Sequence, residues 1–384
     1  MTKDELIGTR LKAERETLNL TLQHVAGQLG FNNYQTLSSI ESGYRPARAW
    51  ELMKLAHLYG RNMEFFLRSE QSEQQKQHVL WRESAQTEKS VLAERKFLSF
   101  CGNFSKLRML TGETESSNAT LPITVDASKL RKEQFRYVEK LADEYRRILD
   151  LGGRPACALP SALENQLGVL VLFLDLEDGG SAAATCGPDC QAILVNSSDI
   201  SWRRNYDLAH EFFHLATWDI FTETEIYDEQ GNKSIPERLA DAFASALLLP
   251  TDKVREECEG RVTDGKISYA SLIEIAREFE VSTDALLWRL VNLRLLARRD
   301  VIDTLNQKAL KEMELEKRIK GQTVEKPYLS VRYISLAIKA FLTGKISKTK
   351  FSEYIGKTFS EVPSFLRNWG YDEDEDYTIA FDTA

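Results

Sequence analysis

Two histidines four residues apart, with a glutamate directly after the first, stand in the apolar run "AHEFFHLATW" at 209–218. On an α-helix, positions i and i+4 share a face, so His210 and His214 offer imidazole nitrogens to one point while Glu211 projects beside it. No other stretch constrains the fold as strongly. Such a helix holds a catalytic ion only if a third donor reaches it from another element and a fourth position stays open. The plainer alternative is a core helix with two hydrogen-bonded histidines. Only five histidines occur in the 384 residues, and two sit here.

The stretch "SIPERLADAFASALLLP" at 234–250 can supply the missing donor. Ser234 reads as an N-cap, Pro236 suits a first turn, and Pro250 follows the helix end. Glu237 and Asp241 share one face, and Leu239, Ala240, Phe243, Ala244, Leu247 and Leu248 build a packed side. The small Ala240 and Ala244 permit close approach to the histidine helix. A third histidine in the pattern HExxHxxGxxH is excluded, because Thr217 and Ile220 stand at the glycine and histidine places. A His₂Glu set for Zn²⁺ from His210, His214 and Glu237 is therefore expected, with Asp241 accepting an N–H from a ligating imidazole and fixing its tautomer.

Glu211 is then the catalytic general base and acid. Zinc brings the pKa of bound water toward about 7 and polarises a carbonyl, and the carboxylate carries the proton to the leaving amine. A first-turn carboxylate favoured by the helix dipole remains the structural reading of Glu237. Tyr206, Tyr227 and Tyr269 are unranked candidates for stabilising an oxyanion. Phe212 and Phe213 are expected to pack inward and to crowd the site.

The fold class expected is α+β and predominantly helical. Residues 1–70 read as an all-α helix-turn-helix unit, 71–126 as a helical linker, 127–300 as a zincin-like peptidase domain with a small antiparallel sheet, and 301–384 as a helical regulatory or oligomerising region, compatible with a homodimer, ending in an acidic tail. Within the first unit, Thr21 caps "LQHVAGQLG", Gly30 stops it, and "NYQTLSSIES" follows a short turn. The polar face of this second helix offers Asn33, Tyr34, Gln35 and Ser38 to a major groove, and Arg45 and Arg48 are placed for phosphates. In the peptidase region "GVLVLFLDL", "SAAAT" and "QAILVN" read as strands, and "CGPDC" at 186–190 as the loop between two of them.

The first 67 residues resemble the phage-repressor-like (XRE, Cro/CI-type) DNA-binding family through "TLQHVAGQLGF", "LSSIESGYRP" and "WELMKLAHLYG". Glu41 and Gly43 occupy the glutamate and glycine places of the family's SxIExG, whereas Leu22 replaces the glutamine that commonly opens the second helix. From about 127 to 295, "AILVNSSDISWRRNYDLAHEFFHL" and "ERLADAFASALLLP" resemble the ImmA/IrrE family of zinc metallopeptidases. That resemblance implies zinc at His210, His214 and Glu237, Glu211 as base, and site-limited cleavage of a transcriptional repressor, often one with its own helix-turn-helix, under stress; the target expected here is a repressor, an antitoxin or the chain itself.

Net charge is −8, which argues against broad adhesion to nucleic acid. Residues 1–70 carry nine Lys/Arg and eight Asp/Glu, or +1, leaving −9 for the remainder. DNA contact is thus expected at the front end only. Five scattered cysteines fit a reducing compartment, and no apolar run reaches the roughly 18 residues of a membrane span. A cytoplasmic protein without membrane partners is expected. The rival reading is a DNA-binding transcription regulator whose peptidase-like half senses zinc or a ligand without cutting.

Overall fold

The computed structural model describes residues 2–61, 63–67, 78–82, 88–113, 121–176, 180–187, 190–227, 233–319 and 329–371. The linker stretch 72–77, residues 228–232 and the acidic tail beyond Tyr371 lie outside the described residues.

Five helices open the chain: α1 (Lys3–Thr17), α2 (Leu22–Leu29), α3 (Tyr34–Glu41), α4 (Ala49–Leu58) and α5 (Met63–Leu67). The Thr21 hydroxyl accepts the His24 N–H, and Gly30 closes α2 in the left-handed region at φ +78°. Asn33 caps α3 by accepting the Thr36 N–H at 3.2 Å. Helix α1 crosses the end of α3 so closely that a Cβ on Gly8 would stand 2.4 Å from the Ile40 carbonyl oxygen. There Arg15 grips the Glu41 carboxylate with two bonds of 2.7 and 2.9 Å. These helices share a core built around Leu11, Val25, Leu37, Ile40 and Leu55.

The next elements are strand β1 (Val79–Arg82), helix α6 (Glu88–Leu110), helices α7 (Ala127–Glu133), α8 (Phe135–Ile148) and α9 (Pro155–Leu167), then β2 (Leu170–Leu174), β3 (Ala182–Cys186) and β4 (Gln191–Asn196). Helices α10 (Ser201–Ala216), α11 (Glu223–Ile226), α12 (Ile235–Leu248), α13 (Thr251–Glu259), α14 (Tyr269–Glu278), α15 (Thr283–Asn292), α16 (Arg298–Leu305) and α17 (Lys308–Ile319) follow. The described chain closes with α18 (Val331–Leu342), α19 (Lys348–Ile355) and α20 (Val362–Asn368). The α+β, mainly helical class is the observed one.

The sheet departs from expectation in two ways. It is mixed rather than antiparallel: the order is β1-β3-β4-β2, and β2 runs parallel to β4 with Leu170 opposite Ala192 and Leu174 opposite Asn196. The region expected as a purely helical linker also contributes a strand, β1, paired antiparallel to β3. The parallel pairing follows from burial on two faces. Val169, Val171, Ile193 and Val195 enter a core with α8, α9, α10 and α12, while Leu170, Leu172, Ala192 and Leu194 enter a second core with α6, α18, α19 and α20. Strands covered on both sides read as continuous apolar runs, the pattern of parallel pairing, instead of the alternation of a half-exposed hairpin.

The two cores also show how the chain is organised. Val301 and Leu310 of α16 and α17 belong to the same core as the histidine helix, so packing continues past residue 300. The last three helices back the sheet. Between β3 and β4 the Gly187 N–H donates to the Cys190 carbonyl at 3.0 Å, Pro188 and Asp189 of "CGPDC" lie outside the described residues, and all five cysteines are free thiols.

Candidate metal centre

Strand β4 leads through residues 197–200 into α10, which places the histidine helix beneath the sheet. The other side of α10 is apolar: Leu208, Ala209, Phe212, Phe213 and Leu215 are buried. Phe212 and Phe213 turn into the core between α8, α10 and α12, with ring centroids 5.8 and 5.6 Å from Phe243, and Phe212 lies 4.8 Å from Tyr145. They brace the helices from behind, and Ala240 and Ala244 let α12 close onto α10. Helix α12 starts as its sequence dictates, with the Ser234 hydroxyl accepting the Glu237 N–H.

That approach brings His210, His214 and Glu237 together, with one candidate ligand atom from each mutually within 4.8 Å. The two Nε2 atoms are 3.2 Å apart; Glu237 Oε2 lies 3.3 Å from His210 Nε2, and Oε1 lies 3.0 Å from His214 Nε2. His210 Nδ1 is 3.0 Å from Asp241 Oδ1. A carboxylate there takes the Nδ1–H, so Nε2, once it gives up the proton it holds in the metal-free chain, is an acceptor facing another ring nitrogen and two carboxylate oxygens. Converging acceptors require a positive charge between them. Tetrahedral bonds of about 2.0–2.1 Å imply donor–donor edges of about 3.3–3.4 Å, so the set fits a small divalent cation.

Glu211 lies beside this point at 1% exposure, and its Oε1 meets no hydrogen-bond donor among the described residues. Burial raises its pKa to about 8. Burial also depresses His210, but hydrogen bonds to Asp241 and Glu237 overcome it and raise the imidazole to about 9. His214 stays below the ordinary histidine value, chiefly through burial. Glu237 and Asp241 also feel burial, yet their histidine partners hold both carboxyls well below the usual range.

Several contributors are not legible in the sequence motif. Arg82 of β1 forms an ion pair with Asp207, one turn before His210, and its Nη2 lies 3.4 Å from Asp241 Oδ1. Lys233 Nζ donates to Asp241 Oδ2 at 2.7 Å. The candidate oxyanion tyrosines have other roles: the Tyr206 hydroxyl donates to the Asp241 carbonyl at 2.8 Å, while that of Tyr227 accepts the Trp81 N–H at 2.7 Å and donates to its carbonyl at 3.1 Å. Tyr269 packs at the edge of the core. A cavity of about 690 Å³ opens at the first turn of α12, lined by Arg131, Phe221, Tyr227, Ile235 and Leu239 among others.

On the N-terminal unit, Tyr34 and Gln35 are exposed on α3 and Ser38 is half-buried. Asn33 uses its carboxamide as the helix cap. Arg45 is engaged bidentately by Glu51 at 3.1 and 2.7 Å, so it braces the start of α4 rather than standing free for a phosphate. Arg48 is exposed and donates its backbone N–H to the same carboxylate at 2.8 Å.

Residues 164–291 match the Peptidase_M78 family, the IrrE N-terminal-like domain. This span contains all three converging donors and Glu211. Over 161 residues the chain is 28% identical to the radiation response metalloprotease IrrE of Deinococcus radiodurans, covering 40% of this chain and 47% of that relative. The chain thus spans about half the length of the curated relative it matches. Both findings support a metallopeptidase of the ImmA/IrrE type. No described helix is long and apolar enough to cross a membrane.

Proposed function

We propose that this chain is a zinc-dependent endopeptidase coupled to a DNA-binding helical unit, and that it cuts a helix-turn-helix repressor, an antitoxin or its own chain to switch gene expression under stress. The observation that carries the reading is the convergence of two imidazole Nε2 atoms and the Glu237 carboxylate beside the buried Glu211, whose Oε1 meets no hydrogen-bond donor among the described residues.

His210, His214 and Glu237 would hold the ion, which when bound supplies Lewis-acid polarisation of a carbonyl and a lowered pKa for water. Glu211 accepts the proton of the attacking water and passes it to the departing amine nitrogen as the C–N bond breaks. Asp241 keeps the His210 ring in the tautomer that presents Nε2. Low exposure removes competing water from the carboxylate and keeps its basicity high.

The Glu211→Gln variant tests the peptidase reading. It should retain one zinc per chain while discrete cleavage of proteins encoded beside its gene falls by at least about 10²-fold. Cleavage at the wild-type rate, or a purified wild-type chain that takes up no divalent ion, overturns it. The near-complete burial of Glu211 also suits a regulator that binds zinc without cutting, and an unchanged transcriptional output in the same variant would favour that reading.

A further inference from the structure

We propose that Arg82 is a positioning residue for the metal-binding set, brought to it by a strand that lies outside the peptidase-like segment. The inference rests on the metallopeptidase reading. The matched segment begins at residue 164, yet the guanidinium beside its central carboxylates comes from β1, which follows the N-terminal helices in the chain.

Strand β1 is held firmly where Arg82 needs it. Arg82 lies opposite Ala182 in the ladder with β3. The neighbouring Trp81 has both backbone groups bonded to the Tyr227 hydroxyl, and its indole N–H donates to Glu94 at 2.9 Å. Gly180 leaves room for that indole: a Cβ there would come within 3.2 Å of the ring.

From this base the Arg82 side chain, only 13% exposed, reaches over α10. It pairs with Asp207, lies 3.4 Å from Asp241 Oδ1, and sits over the Tyr206 ring at 5.8 Å from its centroid. Asp241 Oδ1 therefore faces His210 Nδ1 and Arg82, while Oδ2 faces Lys233.

A carboxylate held from three sides has one orientation, and a single orientation of Asp241 fixes the plane of the His210 ring. The Asp241 side chain is 26% exposed and that of Lys233 56%. Without Arg82 the Asp241 carboxylate can swing toward lysine and solvent, which frees the imidazole to rotate away from Glu237. Removing groups that orient a ligating histidine typically costs about 10- to 100-fold in metal affinity. The competing role is purely structural, with Arg82 serving only to neutralise the buried Asp207.

Zinc affinity of full-length variants, measured by chelator competition alongside thermal unfolding of the metal-free forms, separates the two. Asp207→Asn removes the charge that the structural role needs while its carboxamide oxygen still accepts an Arg82 N–H and holds the fork in place, and should bind zinc within about twofold of wild type. Adding Arg82→Met to it should weaken zinc binding about 10- to 100-fold. Arg82→Lys keeps a charge for Asp207 but cannot bridge two carboxylates as a planar fork can. It should match wild-type melting, weaken zinc binding at least about threefold, and lower kcat with KM unchanged. Zinc binding within about twofold of the parent in both the double variant and Arg82→Lys overturns the assignment of Arg82 alone. A wild-type chain that binds no zinc instead removes the metallopeptidase reading beneath it.

Discussion

Replacing Phe243 with alanine tests how the ligand helices are held together. The ring is fully buried, with centroids 5.6 to 6.1 Å from those of Phe213, Phe212 and Tyr145. Truncating a buried phenylalanine costs about 3–5 kcal/mol through lost transfer energy and the residual cavity. The edge-on ring pairs are worth about 0.5–1.5 kcal/mol each beyond burial, which puts this site near the upper end. Collapse cannot refill the space cheaply, because Phe212, Phe213 and Tyr145 are all fully buried themselves. Set against a typical domain stability of about 5–15 kcal/mol, the loss is a third or more. Phe243→Leu keeps most of the volume and should cost about 1–2 kcal/mol. Urea unfolding of the metal-free chain, followed by far-ultraviolet circular dichroism, gives both differences from the midpoints. Because Glu237 and Asp241 lie six and two residues before Phe243 on the same helix, the alanine variant should also lose zinc affinity while the leucine variant keeps it. A loss below about 1.5 kcal/mol for Phe243→Ala, or equal losses for the two variants, would refute the view that this aromatic cluster sets the spacing of α10 and α12.

Gly8→Ala should destabilise the N-terminal helical unit by about 1–3 kcal/mol, since its Cβ would collide with the Ile40 and Glu41 carbonyls; a melt unchanged from wild type contradicts the close approach of α1 and α3. Stripping zinc with a chelator should remove stability in an amount that grows with the free zinc previously present, about 4 kcal/mol at a thousandfold excess over Kd, and lower the melting temperature with it; a zinc-independent melt argues against a bound ion. The pH dependence separates the two states further. His210 in the metal-free chain has a raised pKa, so its stabilising contribution is complete below about pH 6.5 and fades as pH rises toward about 9. His214, held below its ordinary value, stays neutral through that window. Metal-free protein should therefore lose stability between these limits, and zinc-loaded protein, with an ion in place of the proton, should not; parallel profiles for the two forms refute this.

The chain's own order of residues determined the parts of the centre that depend on short-range geometry. Histidines four apart share a helix face whatever surrounds them, and Ser234, Pro236 and Pro250 mark the ends of the helix carrying Glu237 and Asp241 by local backbone chemistry. Thr21, Gly30 and Asn33 delimit the short N-terminal helices for the same reason. Arg45 shows where local reading stops, since an arginine placed for phosphates proves to be engaged by a glutamate six residues on.

Only the tertiary structure decided which strands meet, and therefore that β2 runs parallel to β4, because a continuous apolar run shows that a strand is covered on both faces but not which neighbour it pairs with. It likewise decided that "VLWR" at 79–82 closes the sheet edge and that Arg82 reaches Asp207 and Asp241, 125 and 159 residues away in the chain. A four-residue strand has too little periodicity to announce itself, and the partner of a buried charge is fixed only when folding excludes water from both.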